Sequence, residues 1–180
     1  MSGVFVIAQL DGSIAERIHA LQERFDPKLA AELPPHVTLI GSSGAGPIAP
    51  DTPMRVLRGA IEPIAAAASP ITVRFGHPMR FLQREIVVLP LDPHGPIRAL
   101  HERLKESGLP YAPARWPFTP HCTLSFYPTL TPESLRQLLA VREKGEWTLS
   151  ALRVYHTREP QPPALLFDAP LGKKRAKTPS

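Results

Sequence analysis

Two short segments carry the residues best suited to chemistry: Pro35-His36-Val37-Thr38-Leu39 and Pro120-His121-Cys122-Thr123-Leu124. An imidazole that titrates near ~6.5 can take or give a proton at neutral pH. A threonine hydroxyl can donate to an oxygen on which negative charge is growing. On a β-strand, residues i and i+2 share a face. His36 and Thr38 therefore point one way and Val37 and Leu39 the other, and His121 and Thr123 repeat this against Cys122 and Leu124. Polar side chains on an inward face must be hydrogen-bonded, solvated or engaged with a ligand. Two such strands brought together would supply two imidazoles and two hydroxyls, the set that phosphodiester transfer needs. One neutral imidazole would remove a proton from the attacking water or hydroxyl, and its protonated partner would give one to the leaving oxygen. Two contributions of roughly 10²–10⁴-fold each make a metal unnecessary for this chemistry.

The elements around these segments occur twice. Gly3–Leu10 reads as a strand that ends at a turn, Asp11-Gly12. Ser13 then caps a helix in which Ile14, Ile18, Leu21 and Phe25 recur at helical spacing, stopped by Pro27. A strand over His36–Ile40, a loop over Gly41–Pro50, a helix opened by Thr52-Pro53 and a strand over Ile71–Phe75 follow. The second half runs in the same order: a strand over Ile86–Leu91, a helix carrying Ile97, Leu100 and Leu104, and a strand over His121–Phe126. A helix opened by Thr131-Pro132 and a strand over Trp147–Tyr155 close it, with one more short strand over Leu165–Phe167. Residue identities support a duplication. Ile18-His19-Ala20-Leu21-Gln22-Glu23-Arg24 lies over Ile97-Arg98-Ala99-Leu100-His101-Glu102-Arg103, and Leu10-Asp11 over Leu91-Asp92. The expected fold class is α+β: a bilobal, duplicated fold with two antiparallel sheets lining a central cleft and helices outside.

Composition sets limits on this reading. An apolar fraction of 43% and a charged fraction of 21% are ordinary for a globular chain. The 23 prolines predict short, sharply ended elements. The formal net charge is +5, but Lys173, Lys174, Arg175 and Lys177 lie in the last nine residues, so the body is only mildly basic. Residues 1–170 are expected to form one bilobal domain, with pseudo-repeats over about 3–76 and 86–155, and 172–180 a basic flexible tail. The single cysteine, Cys122, excludes an internal disulfide and a Cys-rich zinc site. The apolar run Val4–Leu10 is too short to span a membrane, and a cytoplasmic setting is the default.

The chain resembles the 2H phosphoesterase superfamily, within its 2′-5′ RNA ligase-like group, over roughly residues 3–168. Phe118-Thr119-Pro120-His121-Cys122-Thr123-Leu124 and Pro35-His36-Val37-Thr38-Leu39 carry the resemblance. It implies a hydrolase that is a cyclic phosphodiesterase or 2′-5′ RNA ligase-like phosphoesterase, with catalytic His36, Thr38, His121 and Thr123, no cofactor and no metal. The implied partners are RNA ends or cyclic nucleotides, with no membrane and with the chain acting as a monomer. His121 is assigned as base and His36 as acid. One position departs from the pattern. Many ligase-like members carry an Arg in a motif resembling His-x-Thr-Leu-x-Arg, and this chain has Phe126 there. Arg80, Arg84, Arg115 or Arg158 could replace that cation. A non-catalytic module that binds nucleotide or RNA is the alternative the missing Arg favours, and a metal-dependent hydrolase using the same histidines is a third.

The remaining candidates are weaker one by one. Arg115, Phe118, Tyr127 and His156 are candidates for substrate contact. Phe126 reads as core, and Tyr127 as the end of its strand. His19 and His101 sit among charged neighbours and read as solvated, and His77 and His94 as turn residues. Gly41-Ser42-Ser43-Gly44-Ala45-Gly46 lacks the Lys-Ser/Thr of a phosphate-binding loop and reads as a flexible surface loop.

Overall fold

The computed structural model describes residues 2–41, 43–81, 85–128 and 130–172. The first half contains β1 (Ser2–Gln9), α1 (Gly12–Phe25), α2 (Pro27–Glu32), β2 (His36–Ile40), α3 (Met54–Ala66) and β3 (Ile71–Arg74). The second contains β4 (Met79–Arg80), β5 (Val87–Pro90), α4 (Pro96–Lys105), β6 (His121–Ser125), α5 (Pro132–Ala140), β7 (Glu146–Leu149), β8 (Ala151–Arg158) and β9 (Gln161–Pro170). None of these helices is long and apolar enough to cross a membrane.

Seven strands form one antiparallel sheet in the order β4-β5-β6-β2-β1-β8-β9, and β3 and β7 form a second sheet. The α+β class and the antiparallel pairing are as the sequence reading expected. The way the halves meet was not legible. They continue into each other edge to edge, because β2 of the first half pairs β6 of the second with Val37 opposite Cys122. The second junction is β3 on β7, where Thr72 and Thr148 share a hydroxyl hydrogen bond of 2.8 Å. The strand expected over Trp147–Tyr155 breaks at Ser150, so β7 serves the small sheet and β8 the large one.

The helices cross between halves as well: α1 packs on β6, and α4 packs on β2. One apolar cluster runs through both halves and takes Val37 and Leu39 from β2, Cys122 and Leu124 from β6, Ile14 and Ile18 from α1, and Ile97 and Leu104 from α4. Each fully buried Leu or Ile stabilises by about 1.5–3 kcal/mol over exposure. The outward turn of Val37, Leu39, Cys122 and Leu124 is thus set by burial, and it leaves His36, Thr38, His121 and Thr123 to the other face.

Three local expectations change. Pro27 does not simply stop a helix but opens α2, where its missing N–H costs nothing. Asp26 caps that helix through Leu29 N at 3.1 Å. The glycine-rich segment is packed rather than a flexible surface loop: Gly44 N donates to Trp116 O at 2.8 Å and Gly46 N to Ala112 O at 3.1 Å. A Cβ on Gly44 would lie 2.3 Å from His101 Nε2, and one on Gly46 2.3 Å from Ala112 O, so close approach rather than mobility selects glycine there.

Candidate active site

Each histidine opens its strand directly after a proline, and the two are held in the same way. Pro35 O accepts from Leu10 N at 2.9 Å, and Pro120 O accepts from Leu91 N at 2.9 Å. Proline favours an extended residue before it, which turns the carbonyl two places before each histidine back toward the ring. His36 Nδ1 lies 2.8 Å from Pro34 O, and His121 Nδ1 lies 2.7 Å from Thr119 O. A carbonyl can only accept, so both Nδ1 atoms carry the proton, and both Nε2 atoms keep the lone pair in the neutral ring.

The β2–β6 register brings the pairs together. Continued one residue each way from Val37 and Cys122, it sets His36 opposite Thr123 and Thr38 opposite His121. Directly opposed residues of an antiparallel pair share a face and stand about 4.5–5.5 Å apart at Cα. All four side chains are half-buried on that face. Burial lowers the pKa of His36, opposed by the Pro34 carbonyl. Burial also lowers that of His121, opposed by the Thr119 carbonyl, and the charge of His36 lowers it further. A proton on His36 thus disfavours one on His121. Cys122, on the core side, has its thiol pushed up to about 12 by burial and is no nucleophile.

Two reciprocal braces hold the motif strands. Gln22 on α1 donates from Nε2 to Thr123 O at 2.7 Å, and His101 on α4 bonds through Nδ1 to Leu39 O at 2.7 Å. Gln22 and His101 occupy matching places in the duplicated helices. The expectation of a solvated His101 is thus corrected: it is fully buried and stacked on Phe118, ring centroids 3.7 Å apart at 4°. Its charged neighbours Arg98, Glu102 and Lys105 misled the reading, because the helical face and not the sequence neighbour decides exposure. Asp26, also fully buried, accepts from Phe126 N at 2.7 Å and Tyr127 N at 2.9 Å, which ties the end of β6 to the start of α2.

Of the remaining candidates, the structure brings few to this face. Phe118 is buried on the helix side against His101. His156 pairs with Val4 and Ala164. It alternates with Tyr155 and shares the core-facing side of β8 with Val154, next to a cavity of about 240 Å³ that Arg158 and Gln161 also line. Alternation turns it away from the histidine face. Phe126 is not core but 50% exposed, edge-on to Tyr127 at 5.2 Å. The Tyr127 hydroxyl donates to Glu32, and Lys28 Nζ sits 3.9 Å over its ring. Arg115 is exposed on the loop that zips onto Gly44 and Gly46. Arg80 pairs with Glu85 at 3.8 Å on the edge strand, and Arg84 lies outside the described residues.

Sequence reasoning missed the flanks of the site. Gln9 pairs directly with His36, and Pro90 with His121. Phe81 meets the His121 ring edge-on, with centroids 5.2 Å apart at 88°. On the other side Arg153 donates to Gln9 Oε1, which Tyr155 also approaches through its hydroxyl at 3.5 Å. Gln9 ends β1, whose alternation could have placed it on the polar face; no local signal placed Arg153 or Phe81. Among the described residues, no three His, Cys, Asp or Glu side chains gather to hold a metal ion.

Several solved structures share this fold. The LigT protein of E. coli, crystallised with 3′-AMP, is 16% identical, with a TM-score of 0.62 over 96% of this chain and 99% of that one. TT0787 of Thermus thermophilus is 17% identical, with a TM-score of 0.67 over 96% and 98%. A structure described as a phosphoesterase is 14% identical, with a TM-score of 0.55 over 96% and 99%. No curated protein matches the chain in sequence. The family model described as the 2′-5′ RNA ligase superfamily matches residues 10–161, and the chain belongs to that superfamily.

Proposed function

We propose that this chain is a metal-independent phosphoesterase that opens 2′,3′-cyclic phosphates or 2′-5′ linkages of RNA or nucleotides through His36, Thr38, His121 and Thr123. Membership in the superfamily supports a phosphoesterase or ligase-like chemistry. The observation that carries the finer reading is the β2–β6 register, which sets each histidine across from the other motif's threonine. His121 Nε2 takes the proton of the attacking water as oxygen bonds to phosphorus. The bond from phosphorus to the leaving oxygen breaks, and His36 Nε2–H protonates that oxygen. The hydroxyls of Thr38 and Thr123 donate to the non-bridging oxygens, where charge grows. With the hydroxyl of a second ribose attacking a cyclic phosphate in place of water, the new P–O bond forms as the ring P–O bond breaks, and the same groups carry out a ligation.

Hydrolysis of the four nucleoside 2′,3′-cyclic monophosphates in EDTA, by wild type, His36→Ala and His121→Ala, tests this. Turnover in wild type and its loss in both variants is the expected result. Cyclic phosphates and 2′-5′ oligonucleotides that bind without turnover would instead favour a non-catalytic nucleotide-binding module, a reading to which Phe126, in place of the usual Arg, lends support.

A further inference from the structure

The two motifs are near-copies, yet the residues paired beside them differ in charge. Across the sheet from His121 the row runs Thr38, Ile7, Arg153 and Asp168, since Ile7 pairs with both Thr38 and Arg153, and Arg153 with Asp168. Paired residues share a face, so Arg153 stands on the face of the catalytic candidates. Its strand is two steps from β2, about 10 Å at ~4.8 Å per step. The Arg153 guanidinium is held laterally. One terminal nitrogen donates to Gln9 Oε1, and Nε lies 3.5 Å from Asp168 Oδ1. A guanidinium has five N–H donors, more than one hydrogen bond to Gln9 and one 3.5 Å ion-pair contact occupy. The side chain is 36% exposed. On the opposite flank, the residues paired with His121 and Thr123 are Pro90 and Val88, which offer no charge.

We infer that Arg153, anchored by Gln9, forms a second phosphate subsite that takes the phosphate next to the reacting one, so that the preferred substrate is an RNA end or a 5′-phosphorylated nucleotide rather than a lone cyclic phosphate. The inference rests on the paired motifs being the first phosphate site. Two strand steps leave Arg153 beyond the reacting phosphate but within reach of its neighbour along the chain. An Arg fork with free donors suits a phosphate oxygen pair better than a point charge would. Gln9 is a positioning residue here: its carbonyl oxygen holds the fork over the buried Ile7. The cation that the family pattern places at 126 would thus be supplied by a different strand, for a different phosphate.

Calorimetric titration with adenosine 3′-monophosphate and adenosine 3′,5′-bisphosphate, on wild type, Arg153→Met, Arg153→Lys and Gln9→Leu, tests the subsite without requiring turnover. Wild type should bind the bisphosphate about tenfold tighter than the monophosphate, the size of one charge-assisted contact. Arg153→Met should erase that preference while leaving monophosphate affinity within about twofold. Arg153→Lys should keep part of the preference and make it more sensitive to salt. Gln9→Leu should shrink it, and stands in if Arg153→Met does not fold. Equal affinity of wild type for the two nucleotides, or a parallel loss of both in Arg153→Met, overturns the subsite. Failure of the hydrolase reading looks different: a chain that turns over no cyclic phosphate but keeps the Arg153-dependent preference loses the catalytic proposal and keeps this one.

Discussion

His36 and His121 rest on the backbone in the same way, each with Nδ1 on the carbonyl two residues before it, at 2.8 and 2.7 Å. Their surroundings then diverge. The His36 flank carries Gln9, Arg153 and the Tyr155 hydroxyl. The His121 flank carries Pro90 and the ring edge of Phe81. The braces diverge too, with Gln22 from one half and His101 from the other. The motifs are alike and their neighbours are not: Gln9 and Arg153 stand on one side, and Pro90 with an aromatic edge on the other.

The strongest way to break this comparison is to remove the shared part. His36→Ala and His121→Ala should each cost roughly 10²–10⁴-fold in kcat on a cyclic phosphate. Because the proposed roles serve one and the same displacement, the double variant should fall far short of the product of the single losses. Losses that multiply would mean the histidines act independently. Thr38→Val and Thr123→Val should each cost about 10²-fold in kcat with KM little changed. A loss confined to one of them would show that a single hydroxyl meets the developing charge.

Proton affinity sharpens the comparison next. Both histidines bind protons below the ordinary value of ~6.5. The form with one proton shared by the pair is therefore scarce at neutral pH and accumulates below about 6.5. The kcat/KM profile of the free enzyme should peak on the acid side of that value and fall toward neutrality; a peak above pH ~7.5 would contradict it. Phe81→Ala should raise the His121 value toward normal by admitting water, while His36 stays put. Two-dimensional NMR titration of the ring resonances reads both in one experiment.

The smallest expected effects concern the braces. Asp26→Asn turns an amide toward backbone N–H groups that a carboxylate now accepts, and should cost about 2–3 kcal/mol in urea denaturation. His101→Gln, which copies its counterpart Gln22, should cost about 1 kcal/mol for the lost stacking on Phe118. It should also change the pH dependence. Burial lowers the pKa of His101 in the folded state, so the unfolded chain takes the proton first. Stability is then complete above about 6.5 and is lost as pH falls from there through the folded value. Unfolding midpoints at pH ~7.5 and ~5.5 should differ less in His101→Gln than in wild type; an unchanged difference would place the acid sensitivity on groups other than His101.

The sequence by itself determined a good deal. Period-two alternation with β-branched and apolar residues on one side located β2 and told which side chains share a face. Repeated identities, such as Leu10-Asp11 over Leu91-Asp92, exposed the duplication and hence the second motif. These are local or self-similar signals, written in spacing alone. What only the tertiary structure decided is which edges pair. The β2–β6 junction, the β3–β7 junction and the crossing of α1 and α4 between halves join residues far apart in the chain, and no local propensity encodes that choice. For the same reason the buried His101 read as solvated, the exposed Phe126 read as core, and Arg153 was overlooked beside cations closer to the motifs. An arginine beside a site is found through strand order, and strand order is settled by burying a common core.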